Sequence, residues 1–245
     1  MRLSDFGALT FDCYGTLIDW ETGMRARLEP WARRHGIERT GDEMLEMFNR
    51  IEHDWESAHP TMSYPALLAN THRDFARALG APADDSEAEA FGASIGDWLP
   101  FPDSVDALAR LKRHYKLVIL SNVNKAGIAK SAAHLGNPFD LILTAEEIGS
   151  YKPARRNFEV LIERVAALGV PKERILHTAQ SLFHDHVPAN EIGLKSAWID
   201  RRAGKKGVGA TVAVSRMPHL DFRFETLGAM ADAREAEALQ DARGR

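Results

Sequence analysis

Five short apolar runs punctuate the chain: Ala8-Leu9-Thr10, Lys116–Leu120, Leu141–Thr144, Arg174–Thr178 and Ser196–Ile199. Each is of strand length and nearly continuous in apolar character, the pattern of strands buried on both faces of a parallel sheet. Stretches with helical periodicity separate the later runs, at Ser104–Lys112, Phe158–Val165 and around Ala189–Gly193. Strand and helix in repeated alternation predict an α/β fold with a doubly wound, Rossmann-like parallel sheet and right-handed crossovers.

Residues 20–100 break this alternation. They hold several amphipathic segments, such as Glu43–Phe48 and Leu67–Phe75, and no convincing strand. The Pro100-Phe101-Pro102 sequence disfavours continued helix and marks a return to the alternating pattern. The expected organisation is therefore an α/β core of residues 1–19 and 101–245, with a helical unit of residues 20–100 inserted after the first strand. The tail beyond Met230 reads as a solvent-facing helix or a frayed end.

At 245 residues the chain suits one α/β domain carrying an insertion better than two full domains. A net charge of -4 without a polybasic tract argues against a nucleic-acid or membrane partner. No apolar run approaches the roughly 20 residues needed to span a bilayer. The N-terminus runs directly into the first strand, which argues against a leader and for a cytoplasmic protein. The single cysteine, Cys13, agrees with a reducing compartment and reads as a small buried hydrophobe. The basic loop Arg201–Gly207 reads as a solvated loop.

Candidate chemistry begins at Asp12. The first apolar run ends at Phe11-Asp12-Cys13-Tyr14-Gly15-Thr16, which delivers a carboxylate to the end of a parallel strand, where open α/β sheets place their ligands. Such a carboxylate can attack carbon and form an ester that water then opens. Gly15 would permit the tight turn, and Thr16 would hold the carboxylate. Ser121-Asn122 follows the second run directly, Lys152-Pro153 precedes a helix, and Asp185 lies beyond the fourth run. Two carboxylates about 4 Å apart repel by roughly 4 kcal/mol at an effective dielectric of 20, so an anionic substrate needs a cation such as Lys152 beside Asp12.

These four motifs, in this order, resemble those of the haloacid dehalogenase superfamily. Its phosphatases carry Asp-x-Asp-Gly-Thr in the first motif and an acidic fourth motif that supplies magnesium ligands. Here Tyr14 and Gln180 replace two of those acids, a departure that resembles the type II 2-haloacid dehalogenases. That resemblance implies a helical cap of the C1 type and metal-independent hydrolysis of a short 2-haloalkanoic acid to the 2-hydroxy acid, with no cofactor. It implies Asp12 as nucleophile, Thr16 as its partner, Lys152 as the stabilising cation and Asp185 as the residue serving ester hydrolysis. It further implies that Ser121 binds the substrate carboxylate, Asn122 helps cradle the halide, Tyr14 faces the pocket, Ser181 supports Asp185, and a cap arginine, best matched by Arg50, covers the halide. A homodimer is expected by the same resemblance.

The sequence also departs from that pattern at Gln180, Leu182 and Phe158, where a serine, an asparagine and a tyrosine are common. In an extended segment, His184 and His186 would share the face opposite Asp185, with no third metal ligand evident nearby. The alternatives are a magnesium-dependent phosphatase of a small metabolite, and a catalytically weak member that binds a carboxylate.

Overall fold

The computed structural model describes residues 1–204 and 214–243. Six strands form one parallel sheet: β1 (Ala8–Phe11), β2 (Lys116–Ser121), β3 (Leu141–Thr144), β4 (Ile175–Ala179), β5 (Lys195–Ile199) and β6 (Phe222–Phe224). Their spatial order is β3-β2-β1-β4-β5-β6, all pairs parallel. The chain winds outward from β1 through β2 to β3, then returns to place β4 on the other side of β1. The carboxyl end of β1 is thus the point where strand order reverses, the usual ligand crevice of such sheets. The sixth strand lies outside the five expected runs. It is three residues long and only half-buried at the sheet edge, so its apolar signal is short.

Helices cover both faces of the sheet. On the sequence after the second proline of Pro100–Pro102 come α5 (Ser104–Leu111), α6 (Lys125–His134), α7 (Ala145–Ile148), α8 (Arg155–Ala166) and α9 (Val187–Glu191). One core joins β1, α5 and α10 (Leu227–Arg243), and a second packs Phe158, Leu161 and Val165 of α8 onto Val118, Leu120 and Ile175. The tail beyond Met230 is a helix facing solvent, the first of the two expectations, with Ala231 its one buried residue among those described. Leu227, Met230 and Ala231 are buried, and Arg110 of α5 pairs with Asp232 and Glu235. No helix among the described residues is long and apolar enough to cross a membrane.

Between β1 and α5 the described backbone is helical: α1 (Trp20–Arg34), α2 (Gly41–Ala58), α3 (Tyr64–Ala78) and α4 (Asp85–Gly92). The helix starts are set by local chemistry. Asp19 accepts from the Thr22 amide, and Thr40 and Glu43 form a reciprocal capping box at the start of α2. Trp31, Phe48, His72, Phe75 and Phe91 pack ring on ring between these helices. This aromatic core fixes which stripe of α2 remains to face the sheet.

Candidate active site

Asp12 and Ser121 stand at the ends of β1 and β2, Asp185 lies on the Leu182–His186 turn that follows β4, and Lys152 reaches in from the turn before α8. Lys152 Nζ donates to Asp12 Oδ1 at 2.9 Å and to Asp185 Oδ1 at 2.8 Å. The ammonium is 3% exposed and lies between two buried carboxylates. Burial alone would lower its pKa, but the two aspartates outweigh that and hold it above the ordinary lysine range. Burial pushes the Asp12 carboxyl up from its usual range, with Lys152 pulling against it. Asp185 goes the other way despite burial, because Lys152 and His177 both favour its ionised form.

Each of these groups is held from behind. The Thr16 hydroxyl donates to Asp12 Oδ2 at 2.8 Å and accepts from the Gln180 amide at 2.9 Å. Gly15 has φ of 90°, a conformation costly for residues with a Cβ, and a Cβ there would meet Trp20 Nε1 at 2.9 Å. Arg201 donates twice to the Thr16 carbonyl and pairs with Asp103. Its side chain is 7% exposed, so this part of the expected solvated loop is instead a support for the Asp12 turn. Lys205, Lys206 and Gly207 of that loop lie outside the described residues. His177 lies behind Asp185, with Nε2 2.9 Å from Asp185 Oδ1 and Nδ1 2.9 Å from Thr10 Oγ1. A histidine inside an otherwise apolar strand was the available signal for this residue, which motif spacing alone does not single out.

Asp12, Tyr14, Ser121, Asn122, Lys152, Ser181 and Asp185 line one cavity of about 110 Å³. Thr16 stands behind it against Asp12. The Tyr14 hydroxyl lies 2.8 Å from Ser131 Oγ, its ring packs on Trp98, and burial raises its pKa well above the ordinary value, which suits a wall better than a base. Asn122 Oδ1 accepts from the Lys152 amide at 2.7 Å, and its Nδ2 donates to the Lys152 carbonyl at 3.1 Å and to Glu56 Oε1 at 3.4 Å. Ser181 caps the following turn by accepting from the His184 amide, and contacts His184 in place of Asp185. Cys13 is buried, and that burial raises its thiol pKa well above normal.

Arg50 is not in this cavity. It is exposed on the outer side of α2 beside Arg39, Glu43, Glu46 and Leu79. The residues of α2 that face the cavity are Asn49, Glu52, His53 and Glu56, a helical stripe of spacing three, four and seven. Arg50 lies one residue, about 100° of rotation, off that stripe. Three further arginines of the helical segment are paired elsewhere: Arg27 with Asp97, Arg34 with Glu87 and Arg73 with Asp85. Among the tryptophans of the helical segment, Trp20 lines the cavity, Trp98 underlies Tyr14, and Trp55 bonds Asp74.

The α2 stripe was missed because its carboxylates and histidine resemble any solvated helix face. Burial pushes Glu52 up to about 7 and Glu56 up to about 8. The expectation for His184 and His186 also fails, because Leu182–His186 is one turn of π-helix, not an extended segment. His184 enters the cavity, whereas His186 turns into the interior and contacts the Ala179 carbonyl. Burial lowers both imidazoles to about 4.

Several buried polar atoms of the cavity residues have no protein partner: both amide atoms of Asn49, His53 Nδ1, Ser121 Oγ, His184 Nε2 and Asp185 Oδ2. Such atoms are costly in a protein interior unless a ligand or water satisfies them. A magnesium ion of the phosphatase type fits poorly beside Asp12. One oxygen of each aspartate already faces Lys152 Nζ, and the neighbouring positions offer Tyr14 and the neutral Gln180 in place of carboxylates.

The arrangement has relatives. An (S)-2-haloacid dehalogenase of Pseudomonas putida is 24% identical over 209 residues, spanning 82% of this chain and 88% of that enzyme. Pyrimidine 5'-nucleotidase YjjG of Escherichia coli strain K12 is 26% identical over 127 residues, spanning 50% of this chain and 55% of that enzyme. The crystal structure of a defluorinating L-2-haloacid dehalogenase superposes with a TM-score of 0.77 at 21% identity, covering 94% of this chain and 95% of that one. Residues 6–178, from just before β1 into β4, match the haloacid dehalogenase-like hydrolases, and the chain belongs to that family.

Proposed function

We propose that the protein hydrolyses short 2-haloalkanoic acids to 2-hydroxy acids through an ester on Asp12. The observation that carries this reading is the Asp12–Lys152–Asp185 triad with Tyr14 and Gln180 where the acids of a phosphatase belong. The likeness to haloacid dehalogenases over most of the chain supports it.

In this mechanism an Asp12 carboxylate oxygen attacks the substrate Cα opposite the halogen. The C–O bond forms as the C–X bond breaks, halide leaves with the bonding pair, and the configuration inverts. Lys152 offsets the charge of the incoming carboxylate and of Asp12, and Ser121 Oγ is a free donor for the substrate carboxylate. Once Asp12 is esterified, Lys152 pairs with Asp185 alone. Water then attacks the ester carbonyl, restores Asp12 and releases the 2-hydroxy acid and one proton. Asp185 Oδ2 is buried and unpartnered, suited to accept a hydrogen bond from that water. Its depressed pKa fits orienting the water better than keeping its proton.

The test is a single turnover of 2-chloropropionate with excess enzyme in H₂¹⁸O, followed by mass spectrometry of the Asp12 peptide. Halide release with ¹⁸O in the Asp12 carboxylate and none in the product hydroxyl is expected, with no release from Asp12→Asn. Label in the product hydroxyl would exclude the ester. Magnesium-dependent phosphate release from small phosphate esters, without halide release from haloacids, would replace this reading with a phosphatase. Binding of haloacids without turnover would leave a binding role.

A further inference from the structure

The α2 stripe and the π-turn bring three potential ligands together, one of them more than 120 residues from the other two in sequence. His53 and Glu56 stand one turn apart on α2, and His184 faces them from the turn that also carries Asp185. One donor atom from each of the three lies within 4.8 Å of the others, and His184 Nε2 is 3.7 Å from Glu56 Oε2. We propose that His53, Glu56 and His184 bind a divalent cation of the zinc class at the wall of the cavity that holds Asp12.

Geometry and donor chemistry agree. Donors bound at about 2.0 Å in a tetrahedral site lie roughly 3.3 Å apart, so small side-chain rotations would bring the three into range. Two imidazoles and a carboxylate suit a borderline transition cation, whereas magnesium prefers an oxygen set. His184 Nδ1 is 3.3 Å from Ser181 Oγ, which also accepts from the His184 amide. A proton on Nδ1 therefore leaves the Nε2 lone pair for the cavity, the arrangement by which an outer partner fixes a ligating imidazole. His184 Nε2 and His53 Nδ1 are both buried without a hydrogen-bond partner.

The cavity also explains what such a cation would do. Four carboxyl side chains line it, Asp12, Glu52, Glu56 and Asp185, against the single ammonium of Lys152, and no arginine does so among the described residues. Three protein ligands leave coordination positions open. Resting on the haloacid reading above, the cation would hold the substrate carboxylate, a task that the superfamily resemblance leads one to expect of basic and hydroxyl side chains. The covalent chemistry at Asp12 does not pass through it.

The experiment is calorimetric titration of chelator-stripped protein with Zn²⁺, with visible absorption of the Co²⁺ form as a second readout of ligand geometry. One equivalent should bind with a low-micromolar or tighter dissociation constant. His53→Ala, Glu56→Gln and His184→Ala should each weaken it by at least about 100-fold, beyond what loss of an outer partner costs. The exposed His219→Ala should leave it unchanged, and circular dichroism should show all variants folded. Chelation should raise the KM for 2-chloropropionate at least about tenfold with kcat little changed. Absent stoichiometric Zn²⁺ binding, or binding indifferent to the three variants, overturns the site. Binding that depends on them, in a protein that turns over no haloacid, keeps the site and removes the haloacid reading instead. Binding that depends on them with KM unmoved by chelation overturns the role in holding substrate.

Discussion

Replacing Lys152 by methionine removes the ammonium between two buried carboxylates while keeping the volume of the side chain. At 2.9 Å and an effective dielectric of 20, its contact with Asp12 is worth about 6 kcal/mol before solvent responds. If water entering the gap recovers half, about 3 kcal/mol remains, close to a 100-fold rise in the proton affinity of Asp12. Burial already raises the pKa of Asp12, so losing the ammonium pushes it the same way. The carboxylate must be ionised to attack, and the acid limb of the pH–rate profile for 2-chloropropionate should therefore move up by about two pH units. At pH 7 the rate should fall by about 10²–10³, the usual cost of one preorganised charge donor, with partial recovery toward pH 9. Thermal unfolding should show a loss of about 3–5 kcal/mol, as for a buried pair stripped of one partner. A variant within tenfold of the parent at pH 7, with its acid limb unmoved, would refute the reasoning: Lys152 would then not control the charge of Asp12.

Arg50→Ala should leave halide release within about twofold of the parent, because the side chain is solvent-exposed on the far side of α2; a loss above tenfold would mean that the stripe facing the cavity is assigned wrongly. Gly15→Ala should destabilise the fold by about 1–2 kcal/mol from its positive φ alone, and should impair activity as well, since the new Cβ displaces Trp20 from the cavity wall. His72, packed between Trp31 and Phe91, is held neutral by burial and lowered from 6.5 to about 4. Its contribution is therefore complete above pH 6.5 and lost as pH falls toward 4, at most about 3 kcal/mol. Urea unfolding of His72→Leu at pH 7 and pH 4.5 should show a flatter pH dependence than the parent, and an equal dependence would count against it.

What was legible in the chain was local. Strands buried on both faces are continuous apolar runs whatever surrounds them, so five of six strands stand out, and the residue that ends a strand is a neighbour in sequence. Asp12 and Ser121 could be placed at strand ends for that reason, Asp185 only as lying beyond the fourth run, and Lys152 by its position before a helix. The half-buried β6 is too short to carry such a signal, and α10 looks polar because its partners, Arg110 among them, are more than 100 residues away.

The sequence by itself determined five of the six strands, the order of the four motifs and the expectation of a carboxylate paired with a cation, because strand ends and turn residues are written in consecutive positions. The tertiary structure decided which side of α2 meets the sheet, and so put Asn49, Glu52, His53 and Glu56 into the cavity and Arg50 outside it. It turned one histidine of the His184–His186 pair toward α2 and the other into the interior, set His177 behind Asp185, and brought Arg201 under the Asp12 turn. A helix carries its side chains every 100° around its axis, so which of them reach a site depends on what packs against its other faces, and here that is the aromatic core around Phe48 and Phe75.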